Sequence, residues 1–450
     1  MRRMRRYAAA WIGALAILLL ASGCLGEKSA LPGMPKDGAG TLKVMYGNEQ
    51  TFRLLYGDYF QSKYPNVEIE IVDTKPLREN TETEQEPAEH LLKLIEKEKP
   101  DLILLDKSQV SVLAEKGKLM QLDAVMQQEN FDTSGIPGQF MDYFRQIGDG
   151  SIYAISPTYT TQAIYYNAGL FAEHGIEPPR NQMTWDEIAA LASRFGALST
   201  EEQPLYGLSS LFPNSLEMVL NIAQTLQIGI LDSRGEKMQF ETEGWNQAFG
   251  QVAELIKNNG LYAPEEPVFS IATNETPFAM GQSAMTIRYV TQSEHLTGDS
   301  KFEVGLVTMP VNPASPETSP FIFFNDLFAI NQDSENKRLA WELLHYMCSP
   351  EMADFLTSGL MLNLPIRNER VETIGGLSAE PFTLLKPSLN GGTGWDVVDR
   401  EPFSQEFRNE VFMAMENALN DMAYNDVPVN DALAAMQQDL QAKLDLEKRK

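Results

Sequence analysis

The chain after residue 40 alternates between short apolar stretches and longer amphipathic ones. TLKVMYG predicts a strand, and VEIEIV alternates polar and apolar residues with the period of a half-buried strand. Between them, TFRLLYGDYFQSKY places Phe52, Leu55, Tyr59 and Phe60 on one helical face, and the helical stretch EHLLKLIEKEK and the apolar strand DLILLD follow. This β-α-β-α-β order predicts an α/β fold with a parallel sheet covered by helices.

A second unit of alternating elements begins near SIYAISPTYTTQAIYYN. In TWDEIAALASRF, Thr184 and Glu187 have the spacing of a capping box, which predicts that a helix begins there. Strands are predicted at KFEVGLVTMP and FIFFNDLFAI, and a helix at SENKRLAWELLHYM. Because about 410 residues follow residue 40, more than one core normally organises, we predict two α/β lobes.

The chain begins with four arginines and the apolar run YAAAWIGALAILLL. The run is shorter than the roughly 20 residues of a membrane span, so it predicts a secretory signal peptide over residues 1–23, with a transmembrane anchor as the alternative. The following ASGC resembles the lipobox of bacterial lipoproteins, although Ala21 stands where that family prefers Leu. The resemblance implies a lipid on the Cys24 thiol, a flexible tether over residues 24–40, and a lipid-anchored protein at the extracellular face of the cell membrane.

Charge and cysteine content narrow the choice of partners. The formal charge is −26, and it becomes −30 without residues 1–23, which hold four basic residues and no acidic ones. Such a surface excludes nucleic acid, whose binding depends on Lys and Arg. Cys348 has no cysteine partner beyond Cys24, so the sequence predicts no disulfide framework and an inert core thiol at Cys348.

Several stretches, in order over nearly all of residues 41–450, resemble a known family. They are KPDLILLDKSQVSVLAEKGKLMQLD, GDGSIYAISPTYTTQAIYYNAGLFAEHGIEPPRNQMTWDEIAALASRF, YGLSS, FAMGQSAMTIRY, FAINQDSENKRLAWELLHYM and NDALAAMQQDLQAKL. The chain is similar to the family 1 extracellular solute-binding proteins of ABC importers, which include maltodextrin-binding protein. The resemblance implies a type II periplasmic-binding-protein-like fold with two lobes around a ligand cleft.

The resemblance also implies where the chain passes between the lobes: near Ser156 to Thr160, near Pro310 to Phe321, and near Leu364 to Arg367. The first lobe would comprise residues 41–157 plus 321–364, and the second lobe residues 158–310 plus 365–450. Residues 311–320 would connect them. By the same resemblance, the protein is a monomer that captures a polar solute, above all a sugar or oligosaccharide, by hinge closure and delivers it to an ABC permease. No cofactor or metal is expected.

Sugars offer hydroxyls to polar side chains and C–H faces to aromatic rings. Positions similar to the family's cleft give candidate ligand-binding residues from both lobes and from the passages between them. They are Glu49, Asp106, Tyr159, Phe212, Arg288, Tyr289, Phe324, Asn325 and Trp395. For the acids the alternative is a helix cap or a solvated loop, and for the aromatics it is ordinary packing. Trp395 lies in the glycine-rich GGTGWD, where an indole is easily presented to a ligand.

The alternatives to a solute-binding protein are a hydrolase, an iron-binding protein and a sensor. A secreted lipoprotein hydrolase acting on carbohydrate needs a pair of carboxylates, and 62 acidic residues offer too many pairs to be informative. The G-x-S-x-G, H-E-x-x-H and Walker A motifs do not occur. Tyr165 and Tyr166 invite comparison with iron-binding relatives, but AIYYNAGLF matches a structural strand of the sugar-binding ones. A ligand-binding sensor or co-receptor without a permease stays open.

Overall fold

The computed structural model describes residues 31–74, 87–210, 214–264, 276–290, 302–358, 363–399, 401 and 403–448. The signal peptide, the lipidation site at Cys24 and the cleft candidate Phe212 lie outside the described residues. Of the helices in these ranges, none is both long enough and apolar enough to span a membrane.

The strands of the described residues are mostly short. They are β1 Gly40–Tyr46, β2 Val67–Asp73, β3 Leu102–Leu105, β4 Ala154–Ile155, β5 Thr158–Asn167, β6 Tyr206–Ser210, β7 Ser283–Tyr289, β8 Val304–Thr308, β9 Thr318–Ser319, β10 Ile322–Phe323, β11 Leu327–Ile330, β12 Leu364–Pro365, β13 Thr373–Ile374, β14 Leu377–Ser378 and β15 Lys386–Pro387.

The helices of the described residues range from one turn to more than five. They are α1 Glu49–Phe52, α2 Asp58–Lys63, α3 Pro87–Glu98, α4 Lys107–Glu115, α5 Asp123–Gln128, α6 Gly138–Ile147, α7 Ala168–Glu173, α8 Trp185–Gly196, α9 Ser215–Leu226, α10 Glu243–Lys257, α11 Lys337–Met347, α12 Pro350–Ser358, α13 Asp396–Asp399, α14 Gln405–Tyr424 and α15 Val429–Glu447. Short 3-10 turns lie at Lys36–Gly38, Asn368–Arg370 and Glu380–Phe382, and a π-helical turn, Arg53–Gly57, joins α1 to α2.

The first sheet has the strand order β2-β1-β3-β11-β4. Strand β1 is parallel to both β2 and β3, as the β-α-β-α-β pattern predicts, whereas β11 is antiparallel to β3 and β4. Strand β11 comes from residues 327–330, so the chain returns to this sheet after building most of the second one. The predicted two-lobed α/β fold of type II is confirmed.

The second sheet is built around the ten-residue strand β5. The later half of β5 pairs antiparallel with β7 and β8, and β6 is parallel to β7. The first half of β5 pairs instead with β10 and β12, which come from later in the chain. Strand β5 therefore joins segments from distant parts of the chain to the second sheet.

Two hydrophobic cores lie on the two sheets, and the first also includes Tyr165 of β5 and Val304 of β8 from the second sheet. The first includes Leu42, Phe144, Leu327 and Trp341, each at most 1% exposed. The second is formed largely by α8 to α10, α14 and α15 packed on the second sheet. Two cores match the expectation that about 410 residues need more than one.

Helix α8 shows how local sequence forms the second lobe. Thr184 and Glu187 form the predicted capping box, in which the Glu187 backbone N–H donates to Thr184 and the Thr184 backbone N–H donates to Glu187. Trp185, Ile188 and Phe195 are buried, because they recur at the helical spacing that keeps one face on the core. The Trp185 indole donates to Thr225 on α9 at 2.8 Å, which ties the two helices together.

Leu31, assigned to the tether, is 3% exposed in the first core. Ile366 and Phe382, assigned to the second lobe, are buried in the same cluster. The segment after β12 contacts both β5 and β8 of the second sheet and α6, where Gln139 donates to the Thr383 carbonyl at 2.8 Å. Cys348 is buried, as predicted, and burial raises the pKa of its thiol to about 12.

Candidate functional site

The most polar buried stretch of the second sheet is the first half of β5. Thr158, Thr160 and Gln162 are 4%, 7% and 6% exposed, and they share one face because side chains alternate along a strand. We call these three residues the polar floor. It runs for roughly 13 Å at the rise of an extended strand. Thr158 lies opposite Pro365, Thr160 opposite Phe323 and Gln162 opposite Tyr289.

At its first end, the polar floor meets side chains of the first lobe. The Thr158 side chain hydrogen-bonds to Tyr56, and Asp326, just before β11, lies near the hydroxyls of Tyr56 and Tyr46. Burial raises the pKa of Asp326 to about 6. Burial, followed by the nearby Asp326 charge, raises the pKa of Tyr46 and of Tyr56. This end of the floor therefore presents one carboxyl and two phenols.

At its other end, the polar floor meets side chains of the second lobe. Gln162 hydrogen-bonds to Tyr289, whose pKa is raised to about 12 by burial and then by the neighbouring Glu217. Glu217 lies in the first turn of α9, which begins at the Asn214 cap, and burial raises the pKa of its carboxyl to about 7. Asp396 adds a further acidic group near Tyr289. Each end of the floor thus carries a desolvated carboxyl.

Two buried acceptors at the second end are unused by the described residues. Gln162 Oε1 and Asn221 Oδ1 have no hydrogen-bond partner within the described ranges, and their residues are 6% and 2% exposed. Asn221 follows Glu217 by one helical turn on α9. A buried acceptor without a partner costs about 1–3 kcal/mol.

A glycine-rich loop, residues 388–395, contacts both lobes. Lys107, at the start of α4, donates to the Leu389 and Gly391 carbonyls at 2.9 and 3.1 Å, and Gln224 on α9 donates to the Asn390 carbonyl at 2.6 Å. Gly394 is required by close approach, since a Cβ there would lie 2.6 Å from Asn221 Oδ1. The loop therefore links the first lobe to the helix that carries Glu217 and Asn221.

The predicted acidic candidates of the first lobe lie on its surface. Glu49 is exposed and pairs with Arg53 Nε at 2.8 Å. Asp106 caps α4 in a capping box with Gln109, so it has the helix-cap role that was the alternative to ligand binding. Asn325 is also exposed, one residue before the half-buried Asp326. Of the acidic side chains in this lobe, the one next to the polar floor is Asp326, which was not among the predicted residues.

The predicted aromatic candidates Tyr159 and Phe324 are core residues of the first lobe. They are 2% and 7% exposed. The Phe324 ring lies 5.1 Å from that of Phe140 and 4.9 Å from that of Phe144, and the Tyr159 ring lies 4.7 Å from that of Phe140. Tyr159 points to the opposite face of β5 from Thr158 and Thr160, because neighbouring residues of a strand alternate.

Arg288 and Tyr289 lie on opposite faces of β7 for the same reason. Tyr289 reaches the polar floor through Gln162. Arg288 is 2% exposed, pairs in register with Ala163, and donates to Thr276 Oγ1 at 3.1 Å. Burial lowers the pKa of its guanidinium to about 10. Of the two, only Tyr289 joins the cluster at the second end of the floor.

Trp395 is half-buried at the end of the glycine-rich loop. Its ring packs edge-on against Phe412 on α14 at 5.2 Å, and it lies against the second core. Its neighbour Asp396 lies near Tyr289. Trp395 is therefore a half-buried residue that packs on the second core and directly precedes a residue near the second end of the polar floor.

Sequence reasoning missed Gln162, Glu217 and Asp326. One signal was present, since the run TYTTQ is polar inside an otherwise apolar strand. Nothing in the sequence distinguishes Glu217 or Asp326 from the other acidic residues, of which there are 62 in all. Only their burial in the folded protein sets them apart.

Metal chemistry finds no support in the described ranges, where no group of three or more His, Cys, Asp or Glu side chains is placed to hold an ion. Tyr165 packs in the first core and Tyr166 against the second. The alternation of β5 thus separates the two phenols that the iron-binding alternative would bring together.

The raised pKa of Glu217 predicts a pH-dependent stability. Between about pH 4.5 and 7 the unfolded chain releases this proton while the folded protein keeps it, so stability falls as pH rises through that window. We expect Glu217→Gln to raise the free energy of unfolding at pH 8 by on the order of 2 kcal/mol and to change it little at pH 4. Denaturant unfolding at both pH values measures this. Glu243→Gln, the same change at an exposed glutamate in the first turn of α10, is the control, and equal pH profiles for Glu217→Gln and wild type would contradict the assignment.

Two sheets with their own hydrophobic cores, and a polar floor on β5 where strands from later in the chain pair with it, define a two-lobed α/β protein. The chain belongs to the family described as bacterial extracellular solute-binding protein, whose sequence model matches residues 60–374. The family resemblance found in the sequence is thereby confirmed.

Solved structures with this fold cover nearly the whole chain. The extracellular solute-binding protein family 1 from Alicyclobacillus acidocaldarius is 15% identical, with a TM-score of 0.64 over 90% of this chain and 98% of that protein. The sugar-binding protein MalE from Xanthomonas citri is 14% identical, with a TM-score of 0.59 over 91% and 98%. An ABC transporter solute-binding protein from Agrobacterium vitis S4, with bound D-mannitol, is 16% identical, with a TM-score of 0.56 over 90% and 98%. At these identities the likeness concerns the fold alone.

Proposed function

We propose that this protein captures a carbohydrate or similar polyol between its two lobes and delivers it to an ABC permease. The observation that carries the proposal is the polar floor, with a desolvated carboxyl from each lobe at its two ends. Polyhydroxylated solutes offer many O–H donors to such acceptors. The sugar-binding protein MalE and the solute-binding protein with bound D-mannitol, which share this fold, support the same ligand class.

The proposed capture step is a hinge closure. In this proposal the lobes meet through the passages near Ser156 to Thr160, Pro310 to Phe321 and Leu364 to Arg367, with the lobe boundaries that the sequence suggested. A solute that contacts Asp326 from the first lobe and Glu217 from the second stabilises the closed state, because only that state makes both sets of contacts. The closed state is then the form that the permease binds.

A thermal-shift screen of monosaccharides, oligosaccharides and sugar alcohols tests the ligand class. A true ligand at 100 times its Kd stabilises the folded protein by about 2.7 kcal/mol, which is a measurable rise in Tm. Isothermal calorimetry then gives the affinity, and chromatography of the recovered solute shows whether it is unchanged, as expected for a binding protein. A solute that is cleaved at a steady rate would instead favour the hydrolase alternative.

Trp395 tests the position of the cleft. We expect Trp395→Ala to weaken binding of the tightest solute from the screen by about 1–3 kcal/mol, because the accessible part of the indole offers a flat apolar surface to a sugar ring. Trp395→Phe, which keeps an aromatic face, is the control and should retain most of the affinity. Calorimetry with both variants and a Tm without solute separate this from a folding defect. An unchanged affinity in Trp395→Ala would remove Trp395 from the cleft.

The lipid anchor is proposed from Cys24 and the lipobox-like residues before it. Two or more acyl chains hold a protein firmly at a membrane surface, so Cys24→Ser is expected to release the protein into the medium or to leave an unprocessed precursor. Metabolic labelling with a fatty acid measures the modification, and Cys348→Ser is the matched control with the other cysteine. Unchanged labelling of Cys24→Ser would disprove the anchor.

A further inference from the structure

Phe323 of β10 is a half-buried aromatic residue on the same face of the sheet as the polar floor. In the antiparallel pairing of β10 with β5, Phe323 lies directly opposite Thr160. Directly opposite residues of such a pair point to the same side, with their Cβ atoms about 5 Å apart. Because Thr160 is the middle residue of the polar floor, the Phe323 side chain lies next to the centre of the floor.

The other face of the same strands is packed in the first core. Ile322 of β10 and Leu364 of β12 are 2% and 1% exposed in that core, and they pair with Thr161 and Tyr159 of β5. Because side chains alternate along a strand, this burial places Phe323 on the opposite side, away from the core. Within the described residues, Phe323 accordingly belongs to neither hydrophobic core.

Both lobes contact the face that carries Phe323. Tyr56 of the first lobe hydrogen-bonds to Thr158 at one end of the polar floor. Tyr289 of the second lobe hydrogen-bonds to Gln162 at the other end and lies opposite it in register. The face around Phe323 therefore lies between side chains of the two lobes.

The glycine-rich loop packs on the strand that carries Phe323. A Cβ on Gly391 would lie 3.2 Å from the Ile322 carbonyl oxygen, so the loop backbone approaches β10 closely. Lys107 of the first lobe and Gln224 of the second lobe both hydrogen-bond to this loop. Strand β10, and with it Phe323, thus contacts both the strand of the polar floor and a loop that is bound by both lobes.

Phe323 adds accessible apolar surface to a face that is otherwise polar. The three residues of the polar floor are at most 7% exposed, whereas Phe323 is half-buried. A phenyl ring beside hydrogen-bonding groups matches a solute with a flat C–H face and polar groups at its edge. A closed sugar ring holds such a face in place, whereas an open-chain polyol turns about each C–C bond and must lose that freedom when it binds.

We propose that Phe323 is the ring platform of the solute site, and that the ligand class is therefore a closed-ring sugar rather than an open-chain polyol. This inference rests on the proposed function and narrows it. The C–H face of the sugar packs on the Phe323 ring, and the hydroxyls at its edge contact polar side chains of the two lobes.

Pairs of solutes that differ in ring closure test the inference on the purified mature protein. They are glucose with glucitol, mannose with mannitol and galactose with galactitol, and myo-inositol is added as a closed ring without an anomeric carbon. Calorimetry is expected to show the closed-ring member of the tightest pair binding at least about tenfold more tightly than its open-chain partner.

Variants of Phe323 assign the preference to this residue. Phe323→Ala is expected to weaken binding of the closed-ring member by at least about tenfold and to lose the preference, whereas Phe323→Tyr keeps the aromatic face and both properties. Phe355→Ala is the matched control, because Phe355 is also half-buried but packs on Tyr59 with ring centroids 3.9 Å apart. It is expected to lower the Tm and to leave the affinities unchanged.

A purely structural role of Phe323 would change the Tm but not the ratio of the two affinities. Where Phe323→Ala does not fold, Phe323→Leu keeps much of the volume without a flat ring, and it is also expected to lose the preference. If only oligosaccharides of the wider screen bind, the variants are compared on the tightest of them, and an unchanged affinity in folded Phe323→Ala overturns the inference.

The outcomes separate the inference from the proposed function. If an open-chain member binds as tightly as its closed-ring partner, or if a folded Phe323→Ala or Phe323→Leu variant keeps the preference, the inference is wrong and the proposed function stands. If no member of any pair binds the folded wild-type protein, and the wider screen also finds no sugar or polyol, both are wrong.

Discussion

Replacing Arg367 with alanine is expected to lower the free energy of unfolding by about 3–5 kcal/mol, because it removes a buried charge on which several groups depend. Arg367 is 1% exposed and is the second residue after β12. Its Nε donates to the Cys348 carbonyl at 2.7 Å, its Nη2 donates to the Asp132 carbonyl, and its Nη1 lies 3.6 Å from the Asp132 carboxylate. Alanine would leave these acceptors without a donor and would leave a cavity next to β12.

Denaturant unfolding of the purified variant measures this effect, and Arg370→Ala provides the matched control. The Arg370 side chain is 41% exposed and pairs with Asp354 at 3.5 Å, so its removal is expected to cost less than about 1 kcal/mol. Arg367→Lys keeps the charge and loses the forked geometry, and it should fall between the two. A loss for Arg367→Ala no larger than that of Arg370→Ala would show that the passage is not held by this side chain.

Phe324→Ala is expected to lower the free energy of unfolding by about 3–5 kcal/mol, the cost of emptying a buried aromatic site. The Phe324 ring packs within 5.1 Å of the rings of Phe140, Tyr143 and Phe144, centroid to centroid. Its position directly after β10 means that the same packing holds the second passage of the chain against α6. The cavity would lie where the first lobe meets the passages.

Phe324→Leu distinguishes this core role from the ligand-binding role that the sequence suggested. Leucine fills much of the site, so a core role predicts a smaller loss of stability and an unchanged solute affinity. A ligand-stacking role predicts a normal Tm with weakened binding. Tyr424→Ala, at a tyrosine that is 53% exposed on α14, is the surface control and should change stability by at most about 0.5 kcal/mol.

Arg367 and Phe324 both stabilise short strands that pair with β5. Each follows a two-residue strand that pairs with the first half of β5, which is the half that carries the polar floor. Packing beneath these strands holds them against β5, which keeps Thr158, Thr160 and Gln162 in register. Under the proposed hinge closure, the polar floor would stay fixed while the contacts of Asp326 and Glu217 change.

Local pattern determined the elements and the fold class. The period-two run VEIEIV became β2, the capping box at Thr184 began α8, and the apolar strands of the first β-α-β-α-β run paired in parallel. These features depend on neighbours a few residues apart, where side-chain direction follows from helix or strand geometry alone. The family resemblance then extended the argument to two lobes and three passages.

Only the tertiary structure decided which of these residues are functional candidates. Phe324 and Tyr159 looked like ring platforms for a sugar and are core residues, and Asp106 is a helix cap, whereas Gln162, Glu217 and Asp326 come together from positions far apart in the chain. Whether a ring is buried or a carboxyl is desolvated depends on what packs against it. That packing is set by strands such as β10, β11 and β12, which return from more than 150 residues away, and no local pattern records where they return.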